Sequence, residues 1–176
     1  RVFKEIQREY QDEVYHLEHL LAKFRTFDKE GMTGPERFEM LIKAAVELTT
    51  QEAPKWEFIA ARFLMVQYED QVKVQENIFG IRDFYSKVVW LTEEKLYGEY
   101  ILENYTREEL DLYETYLDEA RSSLLNYSGL GLLLKRYVIR SHEGIGLETV
   151  QEMFLGIAMH LAMKEERDRD LWVKRF

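Results

Sequence analysis

A glutamate and a histidine three residues apart on a helix can hold one metal ion, and Glu13-Val14-Tyr15-His16 has that spacing. Helical di-iron sites need the pair twice, with two further glutamates from facing helices. The chain does not supply a second pair, because His142 and His160 follow Ile139 and Ile157 at that offset. His16 and His19 lie one helical turn apart, which gives two ligands and no third. The pattern therefore reads as a solvated Glu and His on one helix face. A helical di-metal enzyme is the rival, which stoichiometric iron or manganese in the purified chain would revive. His160 falls on an apolar stretch and reads as a partly buried structural histidine. Tyr113 and Tyr116 have the spacing of a radical relay, but among 11 tyrosines such a pair reads as amphipathic packing. Gly129-Leu130-Gly131 lacks the preceding strand and third glycine of a phosphate loop. With 0 cysteines, disulfides, thiolate metal sites and thiol catalysis are excluded within these residues. No residue is assigned a catalytic, nucleotide-binding or metal-binding role.

The elements that would position such groups are helices. Phe3, Ile6, Tyr10, Val14, Leu17, Leu21 and Phe24 recur every three or four residues, which predicts one helix over 1–24. Thr33 with Glu36, Thr106 with Glu109 and Thr149 with Glu152 are capping boxes that each open a helix. Phe38, Leu41, Ile42, Ala45 and Leu48 form the inner face of the first. Pro54 suits a first helical turn, and Trp56, Ile59, Ala60, Phe63 and Leu64 carry a helix to about Tyr68, with any extension over 69–77 exposed. Phe84, Val88 and Leu91 define a short helix. Leu110, Tyr113 and Leu117 face inward on the next, and Leu130, Leu133 and Leu134 on another. Tyr137-Val138-Ile139 and Ile145-Gly146-Leu147 flank a Gly144 turn and predict one small β-hairpin. Val150, Met153, Phe154, Ile157, Ala158 and Leu161 are expected to line the buried face of the helix that follows.

Composition sets the class. Apolar residues make up 46% of the chain, enough for a core, and charged residues 32%. Apolar runs such as 130–134 are far too short to cross a bilayer, and charges from Arg1 onward argue against a signal peptide. A soluble, cytoplasmic protein without membrane association is expected. The net charge of −9 disfavours nucleic acid, and the best basic cluster, Lys135, Arg136 and Arg140, lacks flanking lysines. The chain starts without Met, and its last residues, through Trp172 and Phe176, read as the interior of a helix without a capping Gly or Asn. A cut or split polypeptide is the expectation.

Three ordered stretches carry a resemblance. The first joins Leu41-Ile42-Lys43-Ala44-Ala45-Val46-Glu47-Leu48 to Glu52-Ala53-Pro54-Lys55-Trp56 and Ala60-Ala61-Arg62-Phe63-Leu64. The second is Tyr100-Ile101-Leu102-Glu103-Asn104-Tyr105-Thr106-Arg107-Glu108-Glu109-Leu110. The third links Tyr127-Ser128-Gly129-Leu130, Lys135-Arg136-Tyr137, Glu148-Thr149-Val150-Gln151-Glu152-Met153-Phe154 and Val173-Lys174-Arg175-Phe176. In order and spacing this set resembles the N-terminal part of the large subunit of class I ribonucleoside-diphosphate reductases, from about Gly31 onward.

The resemblance implies a mainly α fold: an N-terminal helical domain with one small β-hairpin leading toward a ten-stranded barrel. It implies an N-terminal helical segment over 1–32, a helical domain with a degenerate ATP cone over 33–126, and the truncated start of the barrel domain over 127–176. The family's radical cysteine and redox cysteine pair would lie beyond these residues. Asp70 stands near where the family places an ATP-contacting lysine, which argues against an activity-regulating ATP site. The implied partners are the remainder of the large subunit and a radical-generating small subunit with a metal centre, and self-association is expected. No cofactor is expected in this chain itself. The alternative is a freestanding helical interaction module without enzymatic activity.

Overall fold

Two compact units, residues 1–68 with 123–132 and residues 69–122 with 133–176, divide the chain. The computed structural model describes residues 2–176, apart from the side chain of Glu119. The helices are α1 (Val2–Glu9), α2 (Leu17–Arg25), α3 (Gly34–Glu47), α4 (Trp56–Phe79), α5 (Phe84–Glu93), α6 (Tyr100–Asn104), α7 (Arg107–Glu114), α8 (Tyr127–Arg136), α9 (Val150–Ala162) and α10 (Arg169–Arg175). Short 3-10 turns occupy Glu13–Tyr15 and Glu119–Leu124.

All three predicted capping boxes form. The Thr33, Thr106 and Thr149 backbone N–H groups donate to Glu36, Glu109 and Glu152 at 2.7, 2.8 and 2.6 Å. Each threonine hydroxyl accepts the N–H of its glutamate in return. Asp83 and Ser86 make a fourth box at the start of α5. Because these bonds satisfy otherwise orphaned helix donors, Thr149→Ala should lower stability by about 1 kcal/mol, read from urea denaturation. Thr149→Ser should restore most of it.

The single helix expected over 1–24 is instead two, and Arg1 lies outside the described residues. The chain leaves helical geometry after Glu9 and re-enters at Leu17, with His16 extended at φ −64°, ψ 133°. A contact remote in sequence explains the break: the Trp56 indole N–H donates to the Val14 carbonyl at 3.0 Å, an acceptor that a continuous helix would use internally. The break also shifts the buried phase. Tyr15 and Leu20 enter the core while Val14 and Leu21 are exposed. In this unit Ile6, Leu20, Ala44, Ala45, Trp56, Ile59 and Phe63 form the centre of the core.

In the second unit α5, α6, α7, α9 and α10 share a core of Phe84, Val88, Tyr105, Leu110, Tyr113, Met159 and Val173 among others. Its buried tyrosines keep their hydroxyls bonded. Tyr105 donates to the Met159 carbonyl at 2.6 Å and Tyr113 to Asp170 at 2.7 Å. Arg169 pairs with Glu109 and lies over the Tyr105 ring, which fastens the start of α10 to that of α7.

The predicted β-hairpin is not present: no strand occurs among the described residues, and one isolated antiparallel bridge joins Arg140 to Gly146. Ser141 and Leu147 donate to Ile145 and Ile139 as a ladder requires. The two return bonds are taken by side chains. The Ile145 N–H donates to the Ser141 hydroxyl at 3.2 Å, and the Ile139 N–H to the Glu148 carboxylate at 2.9 Å. Side-chain acceptors thus stop the ladder after one rung.

The face predicted for α9 is also corrected. Val150, Met153 and Ala158 are buried as expected, together with Leu155, Met159 and Ala162. Phe154, Ile157 and Leu161 form an exposed apolar stripe. A helix apolar nearly all round offers two candidate faces, and the sequence period alone chose the wrong one for those three residues.

Candidate functional site

Glu148 and Lys87 are each only 2% exposed, and both lie in the second unit. Lys87 is buried on α5 with Phe84, Val88 and Leu91, one turn from Phe84 and from Leu91. Its ammonium bridges both Glu152 oxygens at 2.6 and 2.7 Å and Glu76 of α4 at 2.6 Å. Glu152 is therefore doubly employed, as the capping residue of α9 and as the acid facing Lys87. Two carboxylates on one buried ammonium ground three helices in a fixed register.

Glu148 immediately precedes that cap. One carboxyl oxygen accepts the Ile139 N–H at 2.9 Å, and the other accepts the Tyr97 hydroxyl at 3.0 Å. Burial pushes its pKa up from 4.5 to about 7, opposed by those two hydrogen bonds; Glu152 raises it further and Lys87 lowers it. Burial and the Glu148 carboxyl together push the Tyr97 phenol well above its ordinary value. Such a displaced carboxyl in a cleft is a candidate for proton handling or for ligand binding.

Glu148 lies in a cleft of about 380 Å³ lined by Tyr97, Tyr100, Tyr137, Ile139, Met153, Gly156, Ile157 and His160, among others. The His160 Nδ1 is 3.1 Å from the Tyr100 hydroxyl. Glycine at 156 matters, because an added Cβ would stand 2.8 Å from the Tyr97 hydroxyl oxygen.

The residues singled out by spacing do not join this arrangement, except His160. Glu13 sits on the 3-10 turn and His16 is extended, so the Glu-x-x-His pair does not lie on a regular α-helix. No group of three or more His, Cys, Asp or Glu residues suited to a metal occurs among the described residues. His160 is exposed rather than partly buried, as is His142. Tyr113 is buried as a packing residue with its hydroxyl on Asp170. Gly129 and Gly131 lie within α8, where the Gly129 N–H bonds to the Asn126 side chain at 2.8 Å. Lys135 and Arg136 are exposed, while Arg140 folds its guanidinium onto the Leu134 carbonyl. The missed residues are Glu76, Lys87, Tyr97 and Glu148. Only Lys87 left a signal, as a cation within an apolar stripe.

Buried ions thus lock the helices of the second unit together. Residues 123–176 match the family model described as ribonucleotide reductase, all-alpha domain. The chain is 49% identical over 175 residues to the ribonucleoside-diphosphate reductase subunit alpha of Treponema pallidum, covering 99% of this chain and 21% of that protein. It is 28% identical over 149 residues to the ribonucleoside-diphosphate reductase 1 subunit alpha of Escherichia coli, covering 84% and 19%. The corresponding alpha subunit of Enterobacteria phage T4 is 28% identical over 158 residues, covering 89% and 21%. The chain is an N-terminal segment of the class I ribonucleotide reductase large-subunit family. It spans about one fifth of the length of these curated relatives. No helix among the described residues is long and apolar enough to cross a membrane.

Proposed function

We propose that the segment serves as the helical N-terminal part of a cytoplasmic reductase large subunit that converts ribonucleotides to deoxyribonucleotides. The observation that carries this reading is the 49% identity to an alpha subunit across 99% of the chain. Its own role is architectural. It presents a wall to the remainder of the large subunit, and the chemistry comes from residues outside it, with the radical supplied by a small subunit holding a metal centre. The absence of cysteine from all 176 residues supports that division of labour. Domain limits of 1–32, 33–126 and 127–176 suit the reading, the last starting close to residue 123, where the family match begins. The degenerate ATP cone is taken to hold no nucleotide, since Asp70 on α4 is exposed and would repel a polyphosphate.

A chimera tests the proposal. Residues 1–176 replace the matching stretch of the Treponema pallidum alpha subunit, and deoxynucleotide formation is measured with that enzyme's small subunit. Retained turnover is expected; a folded chimera without turnover would overturn the reading. The isolated chain should produce no deoxynucleotide, and calorimetry with ATP or dATP should show no saturation in the low-micromolar range, about −8 kcal/mol.

The exposed stripe Phe154, Ile157 and Leu161 predicts association of the isolated chain, since contiguous apolar surface favours a partner. Phe154→Ala should weaken self-association in sedimentation. It should change stability by less than about 1 kcal/mol, because the 3–5 kcal/mol typical of buried phenylalanine does not apply to a side chain 43% exposed.

A further inference from the structure

We propose that the exposed face of α9, with the cleft beside it, is the surface on which the remainder of the large subunit docks, a proposal that rests on the reductase reading. Phe154, Ile157 and Leu161 follow one another at three and four residues and so share one face of the helix. They are 43%, 47% and 55% exposed, so their own unit covers roughly half of each. Ile157 also lines the cleft of about 380 Å³, together with Tyr137, Leu96, Ile101, Ile139 and Met153. Tyr137 stands at its rim, 59% exposed. A ridge of apolar side chains beside an apolar recess is what packed helices present to each other, ridge into groove.

The chemistry of the face fixes that of its partner. The cleft lining holds neither lysine nor arginine. Its acid, Glu148, is buried against the Ile139 N–H and the Tyr97 hydroxyl, and His160 sits against the Tyr100 hydroxyl at 3.1 Å. A charged group brought here would lose its water without gaining a free counter-ion. The occupant is therefore an apolar, uncharged surface, not a phosphate or a charged peptide.

A second copy of the chain and the rest of the same polypeptide can both supply such a surface, and tethering favours the latter. The segment corresponds to 21% of the Treponema pallidum alpha subunit, so about four fifths of that protein is covalently attached to it. An attached surface acts at an effective concentration in the millimolar range, well above that of a free second copy. The stripe also lies within residues 123–176, the part matched by the all-alpha domain model.

Because the chain has 0 cysteines, Leu161→Cys gives a unique thiol in it. Alkylation by a maleimide is followed at that site by peptide mass spectrometry, in the dilute chain and in the chimera with the Treponema pallidum subunit. Each rate is divided by that of the urea-unfolded protein. The thiol should react at least about tenfold more slowly in the chimera, as at the dry centre of an interface. Leu161→Glu should leave the urea midpoint of the isolated chain unchanged and lower turnover of the chimera at least about tenfold, since it buries a charge. Equal reaction rates in chimera and chain would overturn the proposal, as would full turnover by the Leu161→Glu chimera. Protection in the isolated chain that grows with its concentration to the level of the chimera would give the face to a second copy instead. A protected thiol in a parent chimera without turnover would count against the proposed function and leave this docking face standing.

Discussion

Lys87→Met should destabilise the chain by roughly 3–5 kcal/mol, one of the two largest effects expected of any single change considered for it. Methionine matches the length of the lysine stem and leaves no cavity of consequence, so the loss isolates the charge. What remains is the Glu152 carboxylate, with a side chain 10% exposed, and Glu76, with a side chain 27% exposed. Glu76 can turn toward water. Glu152 cannot do so without surrendering the cap on Thr149, to which it bonds at 2.6 Å. The uncompensated ion is thus mainly Glu152. A second substitution checks this account. Glutamine at 152 preserves a capping box and removes the charge, so Lys87→Met with Glu152→Gln should recover more than half of the loss. Urea denaturation of the two single variants and the double variant gives the coupling directly. As a control, the exposed Lys43–Glu47 pair, 4.0 Å apart, should yield less than about 1 kcal/mol when Lys43 is replaced. A Lys87→Met loss no larger than the control would remove the buried triad from the list of what holds this unit together.

How far the sequence discloses such features depends on the range of the interaction. The caps at Thr33, Thr106 and Thr149 are complete within four residues, and all were legible. The helices they open were legible with them. The break at residues 10–16 was not, because its cause is Trp56, some forty positions away. Until the indole claims the Val14 carbonyl, the spacing of Phe3 through Phe24 is indistinguishable from one helix. Local order also misled at 137–147. Its β-branched residues suit a hairpin, but Glu148 and Ser141 capture the N–H groups that a second rung would need. On α9 the difficulty was an excess of signal, since Phe154 and Leu155 are equally apolar and only the arrangement of α5, α7 and α10 decides which turns inward. The cleft was illegible for the same reason. Tyr97, Tyr137, Glu148 and His160 come from separate segments, and nothing in their spacing announces a common site. The family, by contrast, was legible from ordered short stretches, because it is a property of sequence rather than of contacts.

Glu148 makes stability depend on pH in a direction opposite to that of most carboxylates. An acid whose pKa rises on folding, here from 4.5 to about 7, holds its proton more tightly in the folded state. Between those values the folded chain binds more protons than the unfolded chain, so stability falls as pH rises. The contribution is fully present below pH 4.5, declines through the interval, and is gone above about 7. A difference of this size corresponds to about 3 kcal/mol, undiminished by solvent because the residue is buried. Glu148→Gln imitates the protonated acid at every pH. It should be within about 1 kcal/mol of the parent chain at pH 5 and more stable by about 3 kcal/mol at pH 8. Groups common to both proteins cancel in the difference. Urea denaturation at half-unit steps from pH 5 to pH 8 therefore reads Glu148 alone. Should the two curves run parallel across that range, or should the glutamine variant be the less stable at pH 8, Glu148 would have to be ionised and stabilised in the fold.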